Sequence, residues 1–334
     1  MTGQKTGWFG RPLPKNATSV WNPFPPPSPT PQLSKEMIYA GSRLLAVEDA
    51  NANQAPPADI AVWRPSNGTW YVVGQTGSQA TTLSFGTSGD VPLIGDYEGD
   101  GKTDFTVYRP GSPYSYFYVW PSNGASWWGT SWGTSDQNDI PVAGDFDGDG
   151  KTDYVVVRPD SGAGTFTWWV LKSSDSDYYY QSYGANTDIP APADYDGDGK
   201  TDSGVYRASN QTFYWINSSN GGTNGVSIGQ TGDKVVSSDY DGDGKADLAV
   251  YNSSTAYWYI KSSITGSVSS TQWGSSGDVP VQNDYDLDGK TDIATWHALS
   301  SDSVWSIKKS STGSTRTEYW GSTGDIPVPA YYRR

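Results

Sequence analysis

An acidic segment of nine residues recurs five times with the pattern D-x-[DE]-x-D-G-K-[TA]-D. The five copies begin at Asp96, Asp145, Asp194, Asp239 and Asp284. Positions 1, 3, 5 and 9 carry carboxylates, position 7 offers a backbone carbonyl, and the glycines allow a tight turn. A hard cation that takes six to eight oxygen ligands at about 2.3–2.6 Å, as Ca²⁺ does, suits such a loop. The sequence therefore predicts about five calcium ions.

Different metals and different loop types fit the acidic segment less well. Magnesium prefers strictly octahedral coordination and keeps its water ligands. Softer metals favour His or Cys, and the chain has one His and no Cys. One isolated copy could be a solvated turn, but five copies in register argue against that. A helical EF-hand needs Glu at position 12. That position here holds Val107, Val156, Val205, Val250 and Thr295.

The elements around the loops repeat as well, with spacings of 49, 49, 45 and 45 residues between loops. A short strand-like stretch, with [IV]-P in most copies, precedes each loop, and a second one follows it. Next comes an aromatic strand that holds Trp70, Trp120, Trp168, Trp215, Trp258 or Trp305. A large residue before Gly then stands at Phe85, Trp132, Tyr183, Ile228, Trp273 or Trp320, and the unit ends on Asp90, Asp139, Asp188, Asp233, Asp278 or Asp325. Four strands in such a period are typical of a propeller blade.

A sixth, degenerate blade is predicted at the front of the repeats. Asp59 begins DIAVWRP, which matches the strand after each loop, and RLLAVED matches the strand before it. Between them, Asp49, Asn51 and Asn53, together with Asp59, form a possible weak metal site. After Gly321 the chain continues STGDIPVPAYYRR, which predicts an extra C-terminal strand with Tyr331 in place of the first ligand.

The sequence thus predicts two regions. Residues 1–37 form a Pro-rich extended tail or linker, with WNPFPPPSPTPQ at its centre, because such composition favours polyproline conformation. Residues 38–334 form an all-β, six-bladed β-propeller of four-stranded blades. Composition agrees, because 39 Gly and 22 Pro interrupt the chain too often for long helices, and 16 Trp and 23 Tyr supply the core.

Charge excludes several classes of partner. A formal charge of −14 argues against nucleic acid and against anionic membrane surfaces. No membrane span is predicted, since no apolar stretch reaches 18 residues. No export signal is visible in this chain. Five Ca²⁺ ions would reduce the formal charge from −14 to about −4.

The pattern GD[IV]PVxGDxDGDGKTDxxVYRPxxGxWY, over residues 38–334, resembles the FG-GAP or VCBS repeats. In the alpha subunits of integrins and in bacterial surface proteins, these repeats form calcium-loaded β-propellers whose metal loop joins the first two strands of a blade. The stretch YAGSRLLAVEDANAN also resembles a segment of bacterial YD-repeat proteins. Two residues depart from the family pattern: Glu98 lengthens a ligand arm, and Leu287 replaces Gly without changing a ligand.

The resemblance implies five ligand sets, in which each Lys binds through its carbonyl oxygen. They are Asp96, Glu98, Asp100, Lys102 and Asp104; Asp145, Asp147, Asp149, Lys151 and Asp153; Asp194, Asp196, Asp198, Lys200 and Asp202; Asp239, Asp241, Asp243, Lys245 and Asp247; and Asp284, Asp286, Asp288, Lys290 and Asp292.

No enzyme is predicted. The chain has no Cys and no G-x-S-x-G motif, and the repeat accounts for nearly all paired carboxylates as metal ligands. Its single His, His297, stands in the place that Arg64, Arg109, Arg158 and Arg207 take in other blades, which indicates a structural residue. The repeated Arg is expected to pair locally or to stack on an aromatic ring.

The predicted function is that of an extracellular or cell-surface, calcium-stabilised structural protein, a subunit of a homopolymeric filament or sheath. The chain would bind itself through its C-terminal strand or its tail, with Trp8, Phe9, Trp21 and Phe24 as anchors. Both ends could instead close or cover their own ring. The alternative function is a cell-surface adhesin or glycan-binding propeller, which would use aromatics outside the repeat such as Trp127, Trp128, Tyr178 and Tyr179.

Overall fold

Frequent turns and aromatic strands give an all-β structure. A computed structural model describes the backbone of residues 33–40, 43–51 and 80, and all atoms of residues 58–73 and 81–332. The described residues belong to one compact unit, Gln32–Arg334. Their only helix is a 3₁₀ turn over Ser135–Gln137, so this part of the chain has no helix long enough to cross a membrane.

The strands follow one another in a regular order. Before the repeats stand β1 (Leu33–Ala40) and β2 (Arg43–Asn51). Blade 1 contains β3 (Ile60–Arg64), β4 (Thr69–Val73) and β5 (Ala80–Ser84). Blade 2 contains β6 (Val91–Leu93), β7 (Phe105–Arg109), β8 (Tyr116–Trp120) and β9 (Trp128–Ser131). Blade 3 contains β10 (Ile140–Val142), β11 (Tyr154–Asp160), β12 (Thr165–Leu171) and β13 (Tyr178–Ala185).

The remaining blades repeat this arrangement. Blade 4 contains β14 (Ile189–Pro190), β15 (Ser203–Arg207), β16 (Thr212–Ile216) and β17 (Thr223–Ser227). Blade 5 contains β18 (Lys234–Val235), β19 (Leu248–Asn252), β20 (Tyr257–Lys261) and β21 (Val268–Gln272). Blade 6 contains β22 (Val279–Pro280), β23 (Ile293–His297), β24 (Val304–Lys308) and β25 (Thr315–Tyr319), and β26 (Ile326–Pro327) follows it.

Each blade is an antiparallel sheet, and the described residues form six of these four-stranded sheets; the strands pair in chain order in blades 2 to 6. The first strand is short because it ends at the acidic loop, which joins it to the second strand. The prediction of an all-β propeller with six four-stranded blades is therefore confirmed. The loop also lies where the family resemblance implies.

The ring closes through the C-terminal strand. Strand β26 pairs with β3 in the register Ile326 to Trp63 and Pro327 to Val62, and it is the first strand of blade 1. The assignment of RLLAVED to that place is therefore wrong, because β2 pairs with β1 instead. The C-terminal strand is also not an unpaired edge strand, because it pairs with β3. Its [IV]-P pattern is that of a strand that precedes a loop in other blades. The backbone of β2 lies near β6 and β10 of the blades.

Buried aromatics form the layers between blades. Trp70, Trp168, Trp258 and Trp305 are fully buried, and each indole donates to a backbone carbonyl 15 residues later. In blades 2 and 4 the same place holds Phe117 and Phe213, whose distances to the large residue before Gly are also 15 residues. Trp120 and Trp215 do lie on the predicted aromatic strand, but three and two residues after the buried position, so they are not equivalent to the four buried Trp. Both are only half-buried.

The Asp that ends each repeat pairs with the second strand of the next sheet. Arg158 donates through Nε and Nη2 to the two oxygens of Asp139, at 2.7 and 2.8 Å, and its guanidinium lies 5.3 Å from the Trp169 ring centre. The predicted local pairing and stacking of this Arg are both confirmed. His297 occupies the same place, with Nδ1 2.6 Å from an Asp278 carboxylate oxygen.

Candidate metal centres

The carboxylate at position 1 shapes each acidic loop. In the loop that begins at Asp145, the backbone N–H groups of Gly148 and Gly150 donate to its two oxygens at 2.5 and 2.8 Å. The first carboxylates of the other loops accept equivalent bonds from positions 4 and 6. The loop therefore turns around its first Asp.

The carboxylate at position 9 connects the loop to the rest of the blade. Asp153 is fully buried, and its oxygens accept the backbone N–H groups of Phe146 at 2.8 Å and Ser173 at 2.7 Å. The other loops repeat the pattern at Asp104, Asp202, Asp247 and Asp292. This carboxylate is consequently held in place before any ion arrives.

Carboxylate oxygens converge in four of the five loops. In each group, one oxygen from each of three residues lies within 4.8 Å of the others. The groups are Asp145, Asp147 and Asp153; Asp194, Asp196 and Asp202; Asp239, Asp241 and Asp243; and Asp284, Asp286 and Asp292. In the last group, Oδ1 of Asp286 is buried without a hydrogen-bond partner. An all-oxygen donor set with a free buried oxygen fits a hard divalent cation.

The loop with Glu98 differs from the other four. Among the described residues, its carboxylates do not form such a three-residue group. Glu98 accepts from the turn after β8, as the Asp at position 3 of the other loops does from the corresponding turns: its Oε1 accepts from Ser122 Oγ at 3.1 Å and from the Asn123 backbone N–H at 3.0 Å. The predicted longer ligand arm thus points toward a neighbouring turn in this structure. This loop is the weakest of the five predicted sites.

The sequence interpretation missed a set of serine donors. In blade 3, Ser173 Oγ donates to Asp149 at 3.0 Å, and Ser174 Oγ donates to Asp147 at 2.5 Å. Serines at the corresponding turns also donate to loop carboxylates: Ser122, Ser218, Ser219, Ser262, Ser263, Ser310 and Ser311. A serine five residues after the buried aromatic of each of blades 2 to 6 was the available signal.

Burial makes the metal-free carboxylates costly. Desolvation raises the pKa of Asp104, Asp153, Asp202, Asp247 and Asp292 to about 7, although backbone N–H donors oppose the shift and neighbouring carboxylates add to it. The pKa of Asp96 and of Asp239 rises to about 6 for the same main reason, and that of Asp284 is also raised. A bound divalent cation would favour the ionised form of all of them.

Each loop is also bonded to its neighbour. The backbone N–H at position 8 donates to the carbonyl oxygen of position 1 in the preceding blade, and six such bonds complete the ring. They join Thr103 to Tyr331, Thr152 to Asp96, Thr201 to Asp145, Ala246 to Asp194, Thr291 to Asp239 and Ala58 to Asp284, at 2.7 to 2.9 Å. The first ligand of a loop therefore belongs to the contact between two blades.

The remaining predicted residues have different outcomes. Blade 1 has Tyr331 at position 1 of its loop, so the predicted weak sixth metal site lacks its first carboxylate. Asp59 of that site is buried and accepts the Tyr332 backbone N–H at 3.2 Å. Asp49 and Asn51 lie on β2, where side chains are not described, and Asn53 lies outside the described residues. The anchors Trp8, Phe9, Trp21 and Phe24 also lie outside them. The Lys carbonyl ligands stay a prediction.

No protein-family model matches this sequence, and a comparison with curated proteins finds no match. Among solved structures, similarity is found to a virginiamycin B lyase from Staphylococcus aureus, with 9% identity, a TM-score of 0.47 and coverage of 82% of this chain and 95% of the other. AztD from Citrobacter koseri has 9% identity and a TM-score of 0.45, with coverage of 89% of this chain and 99% of the other. A periplasmic gluconolactonase from Pseudomonas aeruginosa has 12% identity and a TM-score of 0.43, with coverage of 90% of this chain and 99% of the other. The propeller assignment stands on the strand pairing itself.

Proposed function

We propose that this chain is an extracellular, calcium-stabilised structural protein of the FG-GAP/VCBS type, and a subunit of a homopolymeric filament or sheath. One observation carries the proposal: the acidic loops are part of the contacts between blades, as in the bond from Thr152 N–H to the Asp96 carbonyl. An ion that fixes a loop also fixes the junction of two blades. Calcium would thus make the ring a rigid subunit.

The surface supports an assembly role. Seven aromatics among the described residues are exposed, and all but Tyr319 lie in blades 2 and 3: Tyr114, Tyr116, Trp127, Tyr178, Tyr179 and Tyr180. Exposed aromatics concentrated on one part of a surface are typical of a binding area. Because β26 is used inside the ring, the N-terminal tail is the part of the chain that we propose reaches another copy.

Sedimentation and negative-stain electron microscopy test this proposal. We expect the full chain to form filaments with Ca²⁺ and to disassemble with excess EDTA. A full-length variant with Trp8→Ala, Phe9→Ala, Trp21→Ala and Phe24→Ala is expected to bind calcium and melt as the original does but to stay monomeric. A full chain that remains monomeric with calcium at high concentration would contradict the filament function.

A second candidate function, glycan binding, is favoured by one groove. It has a volume of about 360 Å³, and its lining includes Tyr179, Gln181, Lys200 and Asn217. An aromatic ring beside amide and ammonium groups is suited to the apolar face and the hydroxyls of a sugar. Tyr179→Ala should then abolish binding on a glycan array, whereas the matched variant Tyr319→Ala, in blade 6, should not.

A further inference from the structure

A second groove lies between blades 2 and 3. Its volume is about 490 Å³, and its walls include Tyr114, Trp132, Arg158, Trp169 and Tyr178. We call it the aromatic groove. The Tyr178 ring centre is 5.7 Å from that of Trp132 and 6.4 Å from that of Trp169. Three aromatic rings therefore stand around one open space.

Two of the groove's aromatics, Tyr114 and Tyr178, are not part of the core. Tyr178 is 55% exposed and Tyr114 is 65% exposed, so neither contributes much to the core. Tyr178 pairs with the last residue of β12, and the residues in the same register of blades 1, 4, 5 and 6 are Ala80, Thr223, Val268 and Thr315. Small or β-branched residues thus suffice at this place in these four blades. A tyrosine here is suited to contact with a ligand instead.

The groove offers a particular chemistry. Arg158 is bound through two nitrogens to Asp139, so its charge is already neutralised. The indole nitrogen of Trp169 is buried without a hydrogen-bond partner, whereas that of Trp132 donates to the Trp169 carbonyl at 3.1 Å. An occupant should therefore be uncharged and should stack on aromatic rings.

The chain itself contains a segment with these properties. Six of the nine residues from Pro23 to Pro31 are proline, and none is charged. A polyproline helix has no internal hydrogen bonds, so its carbonyls are free to accept, and aromatic-lined grooves are its usual receptors. An uncharged contact also avoids the repulsion between copies that each carry a formal charge of −14.

We propose that the aromatic groove binds the Pro23–Pro31 segment of a second copy of this chain. The inference rests on the proposed homopolymer and names the receiving surface within it. A segment of one copy in a groove of the next is a head-to-tail contact, and such a contact continues into a filament when its rotation does not close. Trp169 and Tyr178 would be the residues that the segment contacts first.

Photo-crosslinking in mixed samples tests the contact. Full-length protein carrying p-benzoylphenylalanine in place of Phe24 would be prepared with and without ¹⁵N labelling, mixed, assembled with Ca²⁺ and irradiated. We expect mass spectrometry to find crosslinks between labelled and unlabelled copies at residues of the aromatic groove. Crosslinks confined to one copy, or placed on another surface, would overturn the inference.

A pair of variants tests the groove independently. Tyr178→Thr introduces the residue that blade 4 has at this place, so the fold should tolerate it, and Tyr319→Thr is the matched control on blade 6. We expect Tyr178→Thr to raise the concentration for half-assembly by about tenfold, as loss of an aromatic anchor does, and the control to leave it unchanged.

The outcomes separate the inference from the function on which it rests. Filaments that form equally well with Tyr178→Thr would overturn the groove while leaving the filament function intact. Absence of filaments from the original chain would overturn both. A glycan that binds the groove, with no crosslink to Phe24 of another copy, would replace the inference by the adhesin hypothesis.

Discussion

The side chain of Lys151 lies directly against Gly99 of the preceding acidic loop. A Cβ atom on Gly99 would stand 2.9 Å from Cγ and Cε of Lys151. The same contact joins Gly148 to Lys200, Gly197 to Lys245 and Gly242 to Lys290. Leu287 occupies the corresponding place in blade 6, and the next blade, blade 1, has no acidic loop and hence no such Lys. The departure from Gly at Leu287 follows from its position at the ring closure.

Exchanging Gly and Leu at these two places should change the free energy of unfolding by unequal amounts. Gly148 has a φ of 82°, so Gly148→Leu combines left-handed strain of about 1–2 kcal/mol with displacement of Lys200. We expect it to lower the free energy of unfolding by at least about 2 kcal/mol. Leu287→Gly should change that energy by less than about 1 kcal/mol, because Leu287 already has a φ of 66° and is exposed. Urea unfolding measures both, and equal effects would contradict the contact.

Removing one ligand should affect one site. Asp198 accepts the Lys200 backbone N–H at 2.9 Å and Ser218 Oγ at 2.8 Å, so Asp198→Ala loosens the loop and its serine turn together. We expect native mass spectrometry to show one fewer Ca²⁺, and hydrogen exchange to rise in 194–202 and 217–219. Asp177→Ala, at a carboxylate with a 73% exposed side chain, is the control and should retain every ion. Loss of several ions from Asp198→Ala would contradict independent sites.

Acidity should act in opposite directions on the metal-free and calcium-loaded protein. Burial raises the pKa of Asp153 and Asp202 from 3.8 to about 7, so without metal the folded state holds protons that the unfolded state releases. Its stability is therefore highest at low pH and falls as pH rises from about 4 to 7. Calcium needs the ionised carboxylates, so its stabilisation grows over the same range. Melting temperatures with EDTA and with Ca²⁺, between pH 5 and 7.5, should diverge as pH rises; parallel curves would contradict this.

His297 is expected to have a structural role. His297→Arg should preserve stability, because Arg occupies this place in four other blades. His297→Ala should cost about 1–3 kcal/mol, because Oδ1 of the buried Asp278 loses its imidazole partner while Oδ2 keeps the Ser275 N–H. Thermal unfolding compares the two variants. An Arg variant as unstable as the Ala variant would show that this place requires imidazole.

Local patterns were sufficient for the blades and the loops, but not for closure. Both RLLAVED and IPVPAY resemble a lead-in strand, and only pairing across more than 260 residues, from Ile326 to Trp63, distinguishes them. The serine donors were missed for a similar reason, because Ser173 lies 24 residues after the Asp149 to which its hydroxyl donates. Glu98 shows a third limit: its pattern position is that of a ligand, yet the described carboxylates of its loop form no converging group.

Calcium content and melting temperature, measured together on the full chain, test the central claim most directly. After dialysis against calcium buffer, elemental analysis should find four to five Ca²⁺ per chain, since three carboxylates converge in each of four loops and the Glu98 loop is the weakest. At a free Ca²⁺ concentration about 100 times the dissociation constant, each site adds about 2.7 kcal/mol to the free energy of unfolding. Excess EDTA should therefore lower the melting temperature steeply. Protein without bound calcium, whose melting curve is the same with calcium and with EDTA, would contradict the calcium-stabilised propeller.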